Sequence, residues 1–250
     1  MGGHDGQEEI LLPGNVGGAV RAGDTVRRRS GPWTPAVHAL LGHLAGRVPG
    51  IPEVLGFDEQ GREVLSFMPG KVIDIDTESP SLSQIFSAVR WTRAFHRAVA
   101  GFSHPGPWRY CPFPRPTLIG HNDIAPYNVC FAGDELAGVF DWDMAGPSTP
   151  LLELAFIAWN FVPLWRDIDP SEAAERLEVI AGAYDGPDAR AILRAVPHRI
   201  QALLDWIPRA AADGDEGMVN LMTAGEPGRS QIGLNRLTGR LLPAIDQRLA

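Results

Sequence analysis

The stretch that decides the reading of this chain runs from Gly120 to Gly146, G-H-N-D-I-A-P-Y-N-V-C-F-A-G-D-E-L-A-G-V-F-D-W-D-M-A-G. Its polar residues fall in two clusters, His121, Asp123 and Asn128 at one end and Asp141 and Asp143 at the other. Between them lie two short apolar runs, residues 128–131 and 136–140, joined by Ala132-Gly133-Asp134-Glu135, which is turn chemistry. An antiparallel strand pair would set the end holding Asp123 and Asn128 beside the end holding Asp141. Carboxylate, amide and carboxylate are hard oxygen donors that suit magnesium, which takes its remaining oxygens from water and substrate phosphates. A further carboxylate beside such a metal can orient and deprotonate a hydroxyl for in-line phosphoryl transfer, where positioning and charge neutralisation supply most of the catalysis. The spacing therefore predicts a kinase site.

Competing readings of the same residues are less economical. A lone H-x-D is weak, because a buried His paired with a loop Asp is common in any fold. A metal-dependent phosphoesterase could use His121, Asp123, Asp141 and Asp143, but would want more His ligands converging on two metals. Asp143 has a simpler reading as a solvated loop carboxylate.

The H-x-D-x-x-x-x-N run followed by an apolar strand and D-W resembles the catalytic core of the aminoglycoside phosphotransferase and choline kinase group, relatives of the protein kinases. The resemblance implies that Asp123 is the catalytic base, that Asn128 and Asp141 hold Mg2+, and that His121 braces the catalytic loop; Asp141 would stand where protein kinases have the Asp of D-F-G. Leu152-Glu153-Leu154-Ala155 is similar to the family's D-L-A segment with Glu in place of Asp, and Glu153 is expected to be structural. The implied fold is a two-lobed protein-kinase-like α+β arrangement, with a small antiparallel-sheet N-lobe over residues 1–69 and a larger, mainly helical C-lobe over residues 70–250.

Working outward, residues 9–29 alternate apolar pieces with turn signals and read as three short antiparallel strands. Gly14, Gly17 and Gly18 in the first turn would let the backbone approach a nucleotide phosphate, although a hairpin turn alone also explains them. In the resembling family the third strand carries a phosphate-gripping Lys, held by a Glu from the next helix. Here that strand offers Arg27, Arg28 and Arg29, and Lys71 is the chain's sole lysine. Arg27 is expected as the phosphate group, with Arg28 as the other candidate. The helix expected over residues 34–44 has Pro in its first turn, an apolar face of Val37, Leu40, Leu41 and Leu44, and no acidic residue, so the usual ion pair is not expected from it. Two further strands, 53–58 and 62–67, would complete a five-stranded sheet. Ser66-Phe67-Met68-Pro69-Gly70 is similar to a kinase hinge, where Phe67 and Met68 would meet the adenine of ATP; a plain Pro-Gly linker is the other reading.

Helical periodicity follows over residues 81–100, with His96 read as a core-flanking or capping group rather than a ligand, and again over 151–161, 170–184 and 187–209. A Pro-rich loop covers 101–116, in which Trp108 and Tyr110 are expected to pack on the large lobe. Residues 210–228 read as a polar loop before a last helix from about residue 230.

Composition bounds the function. With 44% hydrophobic and 21% charged residues the chain is that of an ordinary globular protein, and its net charge of −8 disfavours a general nucleic-acid surface. Two cysteines, Cys111 and Cys130, make no disulfide framework, the start has no signal-peptide pattern, and the longest apolar stretch is too short for a bilayer, so a cytoplasmic protein with no membrane partner is expected. The leading function is an ATP-dependent small-molecule phosphotransferase acting on a hydroxyl acceptor, possible targets including cationic, aminoglycoside-like antibiotics. Asp167, Asp169 and Asp205 are candidates for an amine-bearing acceptor, with charged helix ends as the simpler explanation. The alternative is a noncatalytic binding or immunity protein on the same fold, favoured by the missing Lys and Glu and opposed by Asp123, Asn128 and Asp141.

Overall fold

The computed structural model describes residues 9–10, 18–110 and 112–249; Gly14, Gly17 and Cys111 lie outside the described residues. Five short strands, β1 (Glu9–Ile10), β2 (Val20–Ala22), β3 (Thr25–Arg28), β4 (Val54–Phe57) and β5 (Glu63–Ser66), form an antiparallel sheet in the order β1-β2-β3-β5-β4. Gly23, at φ 61°, makes the tight turn between β2 and β3. Register decides which side chains share a face, because neighbours along a strand point to opposite sides. Arg28 lies directly across from Glu63, and Val26 across from Leu65, whereas Arg27 faces Val64. Arg28 and Glu63 therefore share one face and Arg27 takes the other. Helix α1 (Thr34–Leu44) leaves the sheet after β3 with Pro35 in its first turn, and buries Ala36, Val37, Leu40, Leu41 and Leu44.

The chain crosses from the sheet to the helical body at Lys71, whose backbone N–H and C=O both bond Phe131, at 2.8 and 2.9 Å. Helix α2 (Leu82–Ala98) starts with a capping box between Ser81 and Gln84. Strand β6 (Leu118–Gly120), the hairpin of β7 (Val129–Ala132) and β8 (Glu135–Val139), and β9 (Gly146–Ser148) carry the decisive stretch. Gly120 pairs with Gly146 and Val129 with Val139, so the stretch is closed at both its outer and its inner ends.

The rest is helical: α3 (Pro150–Phe161), α4 (Pro170–Tyr184), α5 (Ala189–Ala212), α6 (Glu216–Thr223), α7 (Glu226–Arg236) and α8 (Leu242–Arg248), with a π turn at Leu237–Leu241. Thr149, Asp169 and Asp188 cap the first three of these through their side chains. Residues 210–228, expected as a polar loop, instead hold the end of α5, all of α6 and the start of α7. Asp215 caps α6 by accepting from the Met218 N–H, and Pro227 sits in the first turn of α7, so capping chemistry outweighs the glycine content.

One continuous buried cluster runs from Leu40 and Leu41 of α1 through Phe95 and Trp142 to Leu193 and Ile245. The small antiparallel sheet with α1, set on a larger helical body, is the two-lobed α+β architecture expected from the sequence. Among the described residues no helix is long and apolar enough to cross a membrane.

Candidate active site

The hairpin and the β6–β9 pairing bring the two polar clusters into one corner, as their spacing predicted. Asn128, at the end of a 3₁₀ turn (Pro126–Asn128), donates from Nδ2 to the backbone O of Asp123 at 3.0 Å and to its Oδ2 at 2.8 Å. The backbone of Asn128 in turn accepts from Phe140 N at 3.0 Å, which sets Asp141 beside the pair. Asn122 and Asp141 both lie in the left-handed region, at φ 64° and 58°, a conformation that persists where the surroundings over-determine it.

Those surroundings are explicit. Glu153, 2% exposed on α3, accepts from the backbone N–H of His121 at 2.9 Å and of Asn122 at 2.8 Å. A side chain at Gly120 would put its Cβ 2.6 Å from the Glu153 carboxyl carbon, so only glycine admits that approach. His96 flanks the same carboxylate at 3.7 Å and bonds the Tyr184 hydroxyl at 2.9 Å, the core role read for it from sequence. The Asn122 side chain donates to the carbonyls of Met144 and Gly146, at 3.1 and 3.2 Å.

His121 is fully buried and bridges the two clusters. The Asp123 N–H points at its Nδ1 at 3.2 Å, which assigns the proton to Nε2, donated to the Phe140 carbonyl at 3.2 Å. Burial lowers its basicity, partly offset by Glu153 and Asp141, consistent with a neutral ring. Burial, reinforced by Asp141, pushes the Asp123 carboxyl up to about 8, against the pull of Arg199 and of its bonds from Asn128 and Tyr127. Burial alone would raise Asp141 as well, but its side chain is 48% exposed and the Arg28 guanidinium holds it below the usual carboxylate range.

Arg28, not Arg27, faces this corner. Its Nε donates to Glu63 Oε1 at 2.6 Å, its Nη1 to Asp141 Oδ1 at 2.8 Å, and its Nη2 to Asp143. The ion pair that α1 could not supply is thus formed within the sheet, from Glu63 of β5. Glu63 is 1% exposed and also meets His38 Nε2 of α1 at 2.9 Å. Asp143, expected as a solvated carboxylate, is instead buried between Arg28 and Arg109. Arg109 grips Asp215 with two bonds of 2.8 and 2.6 Å and lies 4.5 Å over the Trp33 ring. A line of alternating charges therefore runs from α1 to the start of α6.

At the crossing segment, Phe67 donates its backbone N–H to Asp24 at 2.8 Å and carries the Arg21 guanidinium 3.8 Å over its ring. Met68 reaches down onto Gly138 and Cys130, so closely that a Cβ at Gly138 would lie 2.7 Å from the Met68 methyl. Gly18, at φ 42°, precedes β2. The acidic residues considered for an acceptor have local partners: Asp167 pairs with Arg240, Asp169 caps α4, and Asp205 accepts from Gln201 at 2.8 Å. Tyr110, expected merely to pack, is fully buried and bonded to Arg199.

The donor set fits magnesium in its chemistry. Asn128 and Asp141 offer hard oxygens, and Asp141 keeps about half its surface open although Arg28 holds one oxygen. Among the described residues no group of three or more His, Cys, Asp and Glu is arranged to hold a metal alone, so a bound ion would draw further oxygens from a substrate.

Comparison with known proteins agrees with this fold. The profile of the phosphotransferase enzyme family matches residues 108–196. The trifolitoxin immunity protein of Rhizobium leguminosarum bv. trifolii is 35% identical over 181 residues, covering 68% of this chain and 67% of that protein. Among solved structures, a choline/ethanolamine kinase family protein from Mesorhizobium loti superposes with a TM-score of 0.58 at 19% identity, covering 98% of this chain and 94% of the other. An aminoglycoside phosphotransferase from Streptomyces rimosus, in complex with ADP and streptomycin, gives 0.55 at 15% identity over 80% and 94%. The GDP complex of aminoglycoside 2'-phosphotransferase-IIIa gives 0.55 at 17% over 88% and 92%.

Proposed function

The chain belongs to the phosphotransferase enzyme family, and on that premise we propose that it moves the γ-phosphate of ATP to a hydroxyl of a small molecule. The observation that carries the reading is the corner itself, where the Asn128–Asp123 bond of 2.8 Å faces the Arg28–Asp141 bond of 2.8 Å. In this reading Asp123 accepts the hydroxyl proton. Burial and the neighbouring Asp141 raise the basicity of that carboxylate, the direction a proton acceptor needs. Asn128 fixes one carboxylate oxygen of Asp123 and Tyr127, at 3.3 Å, the other. Asn128 and Asp141 would hold magnesium, which when bound supplies neutralisation of phosphate charge. Arg28 adds a forked guanidinium on the same side, anchored by Glu63. The glycine turn of Gly14, Gly17 and Gly18, the Phe67–Met68 segment and the division of the chain near residue 69 belong to the same reading.

The neighbours that hold ADP or GDP support a nucleotide in the cleft and leave the base to be measured. The test is magnesium-dependent ATP and GTP turnover over a panel of amino-sugar and uncharged hydroxylated acceptors, with Asp123→Ala as comparison. Equal turnover by the two proteins removes Asp123 as base. The second reading, a noncatalytic immunity or binding protein, is favoured by the name of the Rhizobium relative and by the guanidinium already seated on Asp141. It replaces the first if the wild type neither binds nucleotide nor transfers phosphate to any acceptor.

A further inference from the structure

Arg199 of α5 is fully buried, yet it takes part in none of the ion pairs among the described residues. Its guanidinium lies 4.4 Å from the Phe156 ring, 5.0 Å from Tyr110 and 5.7 Å from Phe113. Nη1 donates to the Tyr110 hydroxyl at 2.9 Å, Nη2 to the backbone carbonyl of Asn122 at 2.7 Å, and Nε has no partner. A cation taken out of water without a bonded carboxylate is expensive, and aromatic faces return only part of that expense. Packing alone would be better served by an apolar side chain of the same volume.

The Asn122 carbonyl and the Asp123 N–H belong to one planar peptide group. Arg199 holds its oxygen, and His121 Nδ1 holds its N–H at 3.2 Å. The preceding N–H, of Asn122, is held by Glu153, so φ 64° at Asn122 is fixed from both sides. Rotation of this peptide would swing Asp123 away from Asn128. We propose that Arg199 is a positioning residue, which clamps the peptide between Asn122 and Asp123 from behind the loop and so aims the Asp123 carboxylate. Its charge acts in the same sense, since Asp123 and Glu153 both feel it. The proposal rests on the kinase reading only in naming Asp123 as the group whose aim matters.

The test compares wild type, Arg199→Met and Arg199→Lys in the full chain, by nucleotide-dependent turnover and by site-resolved backbone amide exchange. Arg199→Met is expected to lower kcat about a hundredfold, the scale of a 1 Å misplacement, while KM for the nucleotide moves less than about threefold. Amide exchange should accelerate about tenfold at residues 121–124 while α3 and α4 keep their wild-type rates. Lys retains the charge but not the fork, so Arg199→Lys should fall between the two proteins in both readouts. Unchanged exchange at 121–124, or acceleration spread evenly over the helices, overturns the proposal. If Arg199→Met does not fold, Arg199→Lys decides by the same local criterion, and exchange equal to wild type at 121–124 overturns it. A wild type without turnover sinks the kinase reading, and the exchange arm then judges the clamp by itself.

Discussion

Replacing Arg28 with Met removes a guanidinium that three carboxylates share. The side chain of Glu63 is 1% exposed, that of Asp143 11% and that of Asp141 48%. Only the first two lose a partner while staying buried, because Asp141 can turn to water. Breaking a buried pair from one side costs about 3–5 kcal/mol, and an exposed partner adds about 0–1. His38 remains bonded to Glu63, and Asp143 retains Arg109, so the expected loss is at the low end, about 3 kcal/mol. For a chain of this length that lowers Tm by about 6–12 °C. Urea and thermal unfolding followed by tryptophan fluorescence would measure both. The double variant Arg28→Met with Glu63→Gln should recover more than half of the loss, because it removes the stranded charge as well as its partner. A single variant within about 1 kcal/mol of wild type, or a double variant no better than the single, would show that the guanidinium is not holding this corner together.

The same reasoning gives the opposite expectation for the neighbouring residue: Arg29→Gln, whose pair with Glu216 is more than half exposed on both sides, should leave stability within about 0.5 kcal/mol in the same unfolding assay. His121 titrates in the folded protein below its ordinary value of 6.5, so the unfolded chain takes the proton first. Stability should therefore fall as pH drops below about 6.5, by up to about 1.4 kcal/mol per pH unit until the folded ring also protonates, and His121→Gln should flatten a Tm-against-pH curve by that one proton. Gly146→Ala would drive a Cβ to 2.4 Å from the Tyr110 backbone carbonyl and should cost roughly 3 kcal/mol, whereas Gly182→Ala on the open side of α4 should stabilise by about 0.5–1 kcal/mol; matched denaturation midpoints for the two would contradict the steric account.

The polar corner was legible because its parts are close in sequence. Asp123, Asn128 and Asp141 are separated by a single hairpin, and turn chemistry at residues 132–135 with apolar runs on either side was enough to fold them together. Glu63 was not legible as the partner of Arg28, since that pairing depends on the register of β3 against β5, with α1 and β4 lying between them in the chain. Helix α1 has no acidic residue, and a strand supplies what the helix lacks. Arg199 did leave a signal. It falls seven residues after Ile192 and three after Val196, on the apolar stripe of α5, where a charged residue has no solvent to reach. Asp215 and Pro227 were equally informative as helix starts, and the glycines between them obscured that.

Where a phosphate-gripping residue on a strand is paired to a Glu on a movable helix, displacing the helix turns the site off. Arg28 and Glu63 stand side by side on hydrogen-bonded strands of one sheet, so no excursion of α1 can part them without unzipping the ladder. The pair is wired into the sheet, and moving a helix does not separate it. What can still change at this corner lies at the other end of the guanidinium, where half-exposed Asp141 is the partner open to solvent.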